Sequence, residues 1–546
     1  MATSFSFDNQ NIQIPGSYST IKSGLKNPPI ALPFGNILVI DTGSGAGYGG
    51  GAGVNGQYAN GKGSIYNFDN IADFRDFVKG GKWWLLAQPL FRPAGLGING
   101  VSRISYIKAA TTVAATIQYD FDDSDISTSG PTGSHFTIKV TDEGLIGNGV
   151  KVGSVLTQGF GAKLSAGVID SSKFILTFYR GDYKGLDQNN LPYDGITAAD
   201  STPLVVAKSP EFSNAQELID WMGYDFYFNK SFKLTSATIN GTGNLAPEDL
   251  TYWGSDYNLA TGGTESYAAS TLLDDVLTAV ADLDVNFILA DKSGVNAIST
   301  ANDKILTAII EQFKFKPELY VAGGNDVNDF QSSSVAAAIH FNSDSVSVVH
   351  GGIYKQSQQG LRTYDSLYHT AAFVGREAGL QPQVPLTFKN LDFDGMVHLL
   401  TDKEVTKALK AGVLVTRLES GSFDIVKGIN SLQANTFLVN DNGTTASKQI
   451  KRIARQLNNE IKIQSRADLL KAPNGVNRNT LSAQDLQAWL TKYLRSKIAK
   501  PDSDNLIISF EDIVITRRQD GYFIAYKFTP NSEISFLFFT GLIINI

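Results

Sequence analysis

Hydrophobic positions repeat every second residue near the C-terminal end of the chain and every third or fourth in several stretches before it, so the two periods predict different elements. Leu506 to Arg517 (LIISFEDIVITR) and Tyr522 to Phe528 (YFIAYKF) are β-branched and aromatic runs. Between them Arg518-Gln519-Asp520-Gly521 offers an Asp-Gly pair suited to a hairpin turn. After Thr529-Pro530-Asn531-Ser532 the chain closes on Glu533 to Ile546 (EISFLFFTGLIINI), with no charge beyond Glu533. A strand of that kind aggregates if its edge stays bare. It either docks in its own domain or is given to a neighbouring copy by strand addition.

Taken in order, residues 1 to 25 are polar and read as an arm whose one patterned element is Ile14-Pro15-Gly16-Ser17-Tyr18. Ile37 to Ile40 predicts a short buried strand, and a glycine-rich segment follows from Gly43 to Gly63. Asn70 to Val78 predicts a helix with Ile71, Phe74, Phe77 and Val78 on one face, and Trp83 to Ala87 and Val101 to Ala109 predict strands. From Ala110 to about Asn244 short runs (ATIQY, FTIKV, KFILTFY, PLVVA) between Gly, Asp, Ser and Asn clusters predict a β-rich inserted domain. Helices over Thr271 to Leu283, Asn302 to Phe313 and near Ser334 to Ile339 then alternate with buried strands at Val285 to Leu289, Leu319 to Ala322 and Ser345 to His350. Such alternation implies a mainly parallel sheet covered on both faces and split by its insertion. From about Thr387 an α+β block is expected. Its helices are Thr401 to Ala411, Ile450 to Ile461 and a third opening at Ser482 and ending before Pro501; its strands are Val413 to Leu418 and Phe423 to Val426, followed by the hairpin.

Composition narrows the class. A chain of 546 residues exceeds one hydrophobic core, so two to four domains are expected, and 42% hydrophobic residues place it among globular proteins. A net charge of −7 argues against a nucleic-acid binder as a whole. With no cysteine there is no disulfide, thiolate metal site or Cys nucleophile. The first residues show neither the basic region nor the apolar core of a signal peptide, and no run approaches eighteen apolar residues, so a cytoplasmic start without membrane insertion is expected.

Candidate chemistry is thin. Gly45-Ala46-Gly47-Tyr48-Gly49-Gly50 satisfies G-x-G-x-x-G, yet glycine continues to Gly63 where a dinucleotide fold needs a helix. Gly56 to Lys62 nearly fits a phosphate-binding loop, but Gly63 stands where Ser or Thr should hold magnesium. The five histidines, His135, His340, His350, His369 and His398, have no metal-ligand spacing and are read as structural or surface residues. There is no G-x-S-x-G elbow, and the pairs Asp122-Asp123 and Asp274-Asp275 suit a solvated loop and a helix start. No catalytic, cofactor-binding or metal residue is nominated. Basic residues do concentrate: Lys448, Lys451, Arg452, Arg455 and Lys462 on or beside one helix, and Lys492, Arg495, Lys497 and Lys500 on the next. They form either a solvated face or a docking face for an acidic protein.

Several segments together resemble the contractile tail sheath family of bacteriophages and related contractile injection systems. Ile14-Pro15-Gly16-Ser17-Tyr18 resembles the family's Pro-Gly-x-Tyr start, and Gly144-Leu145-Ile146-Gly147-Asn148-Gly149-Val150 its Gly-x-x-Gly-Asn segment. Leu259 to Thr264 is similar to its Gly-Gly turn, Ala372 to Pro385 (AFVGREAGLQPQVP) to its small-residue passage with an Arg, and Gly428-Ile429-Asn430 with Asn435-Thr436 to its Asn-Thr region. Pro530 to Ile546 resembles its closing strand. Ser17, where the family commonly has a β-branched residue, and the long glycine loop depart from the pattern.

The resemblance implies a multidomain α/β and α+β fold. Residues 1–25 would be an N-terminal arm; 26–109 and 245–386 a split α/β domain of the kind called subtilisin-like without being a protease; 110–244 a β-rich outer insertion; 387–530 an inner α+β domain; and 531–546 an exchanged strand. It also implies a structural, non-enzymatic subunit in stacked hexameric rings around an inner tail tube, with baseplate and tail terminator proteins as further partners. Such a subunit would be assembled in the bacterial cytoplasm, reside in the virion tail and bind neither cofactor nor nucleic acid. Ile14, Pro15, Gly16 and Tyr18, with Ile534, Phe536, Phe538, Leu542 and Ile544, would be the inter-subunit arms, and Lys451, Arg452 and Arg455 would face the tube. The alternatives are a non-contractile tail component, such as a terminator or tube-associated protein, and an α/β nucleotide-binding enzyme using the glycine loop.

Overall fold

The computed structural model describes residues 5–7, 10–12, 35–41, 65–78, 81–95, 97–109, 111–121, 134–143, 147–181, 203–239, 245, 249–250, 254, 256–266, 271–290, 297–357, 360–419, 421–433, 446–465, 468, 482–498, 506–518 and 521–531. Its centre is a seven-stranded sheet in the order Val413–Leu414, Val346–Val349, Glu318–Ala322, Phe287–Ala290, Asn36–Asp41, Arg103–Lys108 and Tyr66–Phe68. All neighbours are parallel except Tyr66–Phe68, which closes one edge antiparallel. Asn36–Asp41 pairs directly with Phe287–Ala290 although some 250 residues separate them in sequence, so the sheet is continuous in space and split in the chain.

Strand periodicity sends alternate side chains to opposite faces. Ile37 and Val39 pack with helices Gly81–Phe91 and Ser366–Ala378, while Leu38 and Ile40 pack with Thr271–Val280, Thr300–Glu311 and Asp402–Ala411. Strands of the sheet thus anchor two cores, which is why these runs are largely apolar rather than alternating. The sheet takes its outermost strand from Val413–Leu414, well past residue 386, and the expected strand Val413 to Leu418 divides into Val413–Leu414 and Thr416–Glu419 in different sheets.

Trp83 to Ala87, expected as a strand, belongs to helix Gly81–Phe91. Its apolar run is too short for periodicity to decide, and here it is buried between neighbouring helices. Gly375 permits that packing, because a Cβ there would lie 2.3 Å from the Pro89 carbonyl oxygen.

The described residues between 111 and 266 form two four-stranded sheets, one ordered Leu204–Lys208, Phe174–Arg180, Phe160–Ala166, Asn258–Leu259 and the other Phe232–Thr238, Ser134–Glu143, Thr111–Phe121, Thr264–Ser266, and a small ribbon of Val150–Val152 and Val155–Gln158. The four-stranded sheets share a core rich in phenylalanine, including Phe136, Phe160, Phe178 and Phe232. Two short helices, Ala215–Tyr224 and Phe226–Ser231, cover it, and the side chains of Asn214 and Asp225 cap their first turns. The β-run reading did not foresee them; the Asn and Asp caps, and Ala215, Leu218, Trp221 and Met222 at helical spacing, were their local signals.

Three of the histidines meet at the carboxyl ends of the parallel strands. Ser334 Oγ accepts the Gly324 N–H at 2.7 Å and lies 2.8 Å from His350 Nδ1; His350 Nε2 lies 3.0 Å from His398 Nδ1, and His398 Nε2 faces Glu404 Oε1 at 3.5 Å. His369 Nδ1 contacts the carbonyls of His350 and Gly351. Ser334, His350 and His369 are wholly buried, so the cluster is packed core, and among the described residues no group of His, Asp or Glu is arranged to hold a metal ion.

Burial, with His398 and His369 nearby, pushes His350 down to about 3 despite Asp326 and Glu404, and burial pushes His369 down to about 4 against its carbonyl contacts. Folded rings therefore stay neutral while unfolded histidine, near 6.5, gains its proton, so their contribution is complete above that value and is lost as pH falls. Between about pH 6 and pH 4 each ring should lower unfolding free energy by about 1.4 kcal/mol per pH unit. Urea unfolding across that range should show a slope reduced by that amount in His369→Gln; equal slopes would contradict it.

Candidate assembly interface

The C-terminal unit begins with helix Lys448–Ser465, which has two buried faces. Ile453 and Leu457, with Ile461 beside them, recur every four residues and pack against Leu490 and Leu494 of helix Ala483–Ser496 and against Leu506 and Ile507. Lys448, Arg452 and Arg455 recur at the same helical spacing on the roughly opposite face and enter the α/β body. The second helix opens with a reciprocal cap between Ser482 and Asp485, as that pair in the sequence suggested.

The cationic face meets two buried carboxylates. Lys448 Nζ bonds Glu318 Oε1, lies 2.7 Å from Ser347 Oγ and 3.0 Å from Glu377 Oε2, and stands 4.3 Å above the Tyr320 ring. Tyr320 donates its hydroxyl to Glu377. Arg452 Nη2 donates to the carbonyls of Glu377 and Leu380 at 3.0 and 2.6 Å, and Arg455 Nη1 to that of Asn286 at 2.7 Å. Burial would raise the Glu318 carboxyl, but the charges of Lys448 and Arg455 and hydrogen bonds from Lys448 and Ser347 outweigh it and hold the group below its ordinary value. Burial lowers Arg452.

This placement corrects the expected tube-facing set. Arg452 and Arg455 are only 5% and 8% exposed and are committed inside the chain. Lys451 is partly exposed but bonds Asp344 at 2.5 Å. Lys497 bonds Glu460 at 2.9 Å, while Lys492 and Arg495 stay exposed and line an open groove with Gln484, Gln487, Ala488 and Thr491. The sequence signal was available: cations recurring at core spacing on a helix whose apolar stripe lies elsewhere.

Ile507–Arg518 and Gly521–Pro530 form the expected hairpin, a two-stranded antiparallel ribbon. Its second strand alternates between half-buried and exposed positions, with Ile524, Tyr526 and Phe528 toward the helices. A bulge between Glu511 and Val514, with Asp512 at φ 52°, bends the first strand, and Asp512 bonds Lys527 across the ribbon at 2.7 Å. Among the described residues no third strand pairs with either edge. The expected arm residues Ile14, Pro15, Gly16, Tyr18, Ile534, Phe536, Phe538, Leu542 and Ile544 lie outside the described residues, as does the glycine loop 43–63.

Two motifs read separately in the sequence are joined in space. The Asn148 amide donates to the Gly263 carbonyl at 2.7 Å and its oxygen accepts the Gly263 N–H at 2.8 Å, clamping the turn at Gly262, whose φ of +80° favours glycine. Glu377, within the segment Ala372 to Pro385, is the carboxylate that Lys448 and Tyr320 share.

Several packed sheets with helices, a doubly covered parallel sheet at the centre and a two-stranded ribbon at one end define a mixed α/β protein built from distinct units. No family model matches the chain, and no curated protein matches it. Among solved structures, a sheath tail protein from Desulfitobacterium hafniense aligns over 95% of this chain and 97% of its own at 15% identity and a TM-score of 0.56. A sheath tail protein from Listeria innocua aligns over 90% of this chain and 94% of its own at 15% identity and a TM-score of 0.46. The helical sheath of the anti-feeding prophage in its contracted state aligns over 52% and 78%, at 10% identity and a TM-score of 0.35. The first of these carries the fold: the chain shares the fold of a sheath tail protein, as its motifs implied.

Removing one partner of the buried network strands the others. Glu318→Gln should destabilise the chain by about 3–5 kcal/mol in denaturant unfolding, because Lys448, Arg452 and Arg455 then face a single carboxylate, Glu377. A loss below about 1 kcal/mol would show that the network does not seat the helix.

Proposed function

We propose that the chain is the structural subunit of a contractile tail sheath: copies polymerise in stacked hexameric rings around an inner tail tube, and contraction drives that tube through a bacterial envelope during genome delivery. The observation that carries this reading is the ribbon Ile507–Arg518 and Gly521–Pro530. A two-stranded ribbon with a half-buried apolar stripe would serve as a platform for added strands. The arms Ile14 to Tyr18 and Ile534 to Ile544 would supply the added strands from neighbouring copies. The fold shared with a sheath tail protein supports the same reading.

Contraction on this account is a change between two packings of the same subunits, driven by differential burial and charge pairing multiplied over many copies, with no nucleotide consumed. The role is structural, with no catalytic residue. Baseplate and terminator proteins would meet the ends of the cylinder in the virion tail, after assembly in the host cytoplasm. Tube contact falls to Lys492 and Arg495, because Arg452 and Arg455 are held inside the chain.

Electron microscopy of the full chain expressed alone should show hollow cylinders, and the chain truncated after Pro530 only monomers; monomers from both would sink the strand-sharing reading. The pair Lys492→Glu and Arg495→Glu, both on an exposed helix face, should leave folding unchanged and abolish sheath formation on tubes. Normal tube decoration by that variant would remove this face from the tube interface.

A further inference from the structure

Among the described residues the buried network carries one cation more than its carboxylates. Lys448, Arg452 and Arg455 enter a space holding Glu318 and Glu377, while Lys451 is matched separately by Asp344. Tyr320 adds no negative charge, since burial and the neighbouring Glu377 and Glu318 keep its phenol protonated. An uncompensated buried cation is costly unless something neutralises it.

The donors for such a partner are present. Arg452 Nη1 and Arg455 Nε and Nη2 are buried and have no hydrogen-bond partner among the described residues. Nε and Nη2 form one side of a guanidinium fork, the arrangement that grips an anion with two N–H groups. Both arginines line a small, partly open recess walled also by Asn286, Phe287, Pro382 and Gln456. Its free centre, about 10 Å³, admits little more than one small body. Glu318 Oε2, 3.6 Å from Arg455 Nη2 and itself without a hydrogen bond, disfavours a doubly charged ion.

We infer that the recess between Arg452 and Arg455 binds a small monovalent anion of the halide class, with chloride as its ordinary occupant. Polyatomic anions such as sulfate and phosphate are excluded by size and by the charge of Glu318. The bound ion neutralises the surplus charge and helps fix helix Lys448–Ser465 on the α/β body.

The test uses the full chain. Thermal unfolding is followed as chloride or bromide replaces gluconate at constant ionic strength, and the midpoint should rise and level off as a single site fills. Arg455→Lys keeps the charge and removes the fork, so it should fold and lose that response. Crystals of the unchanged chain grown in bromide should give an anomalous peak between the two guanidinium groups, a result that does not depend on any variant folding. Equal midpoints in gluconate and chloride, or a water or a neighbouring copy's carboxylate in the recess in bromide-grown crystals, would overturn the site.

Discussion

The rest of the architecture depends on the buried ion pairing between helix Lys448–Ser465 and the sheet of the α/β body. Glu318 opens the interior strand Glu318–Ala322, and Glu377 lies in the last turn of helix Ser366–Ala378, so the carboxylates are fixed by two different elements of the body. Lys448 reaches both, and Arg452 and Arg455 bond carbonyls beside them. Buried pairs of this kind add little net stability over an apolar contact, but mispairing them is expensive, so they fix position. One helix thereby holds the ribbon on its apolar face and the body on its charged face.

That rigidity bears on the proposed mechanism. With the C-terminal unit pinned to the body, a change of lattice must come from movement between copies, at the ribbon edges and the outer units, more than from movement between this helix and the sheet beneath it. The proposed strand sharing at the ribbon would suit that: backbone pairing would hold neighbours together while side-chain contacts elsewhere are exchanged.

Much of the fold was legible in the sequence because burial on both faces leaves a plain mark. The runs around Ile37, Ile288, Val321 and Val348 are largely apolar, and the helices between them carry clear stripes, so the parallel sheet could be read directly. The hairpin was legible from its alternation and its Asp-Gly turn. Trp83 to Ala87 was not, because five apolar residues fit a buried strand as well as a buried helix. The basic residues of Lys448–Ser465 were misread because charge was taken as a mark of exposure. Their partners Glu318 and Glu377 lie 130 and 71 residues upstream of Lys448, and no local pattern announces such a pairing. The same distance hid the Asn148 clamp on Gly263.

The most direct measurement is a reconstruction of the assembled chain by electron cryo-microscopy, traced through the ribbon Ile507–Arg518 and Gly521–Pro530 and its two edges. The account predicts that each ribbon is widened by strands belonging to neighbouring copies, with the segment around Ile534 to Ile544 among them. A ribbon whose edges are covered only by its own chain, in copies joined through side chains alone, would contradict it.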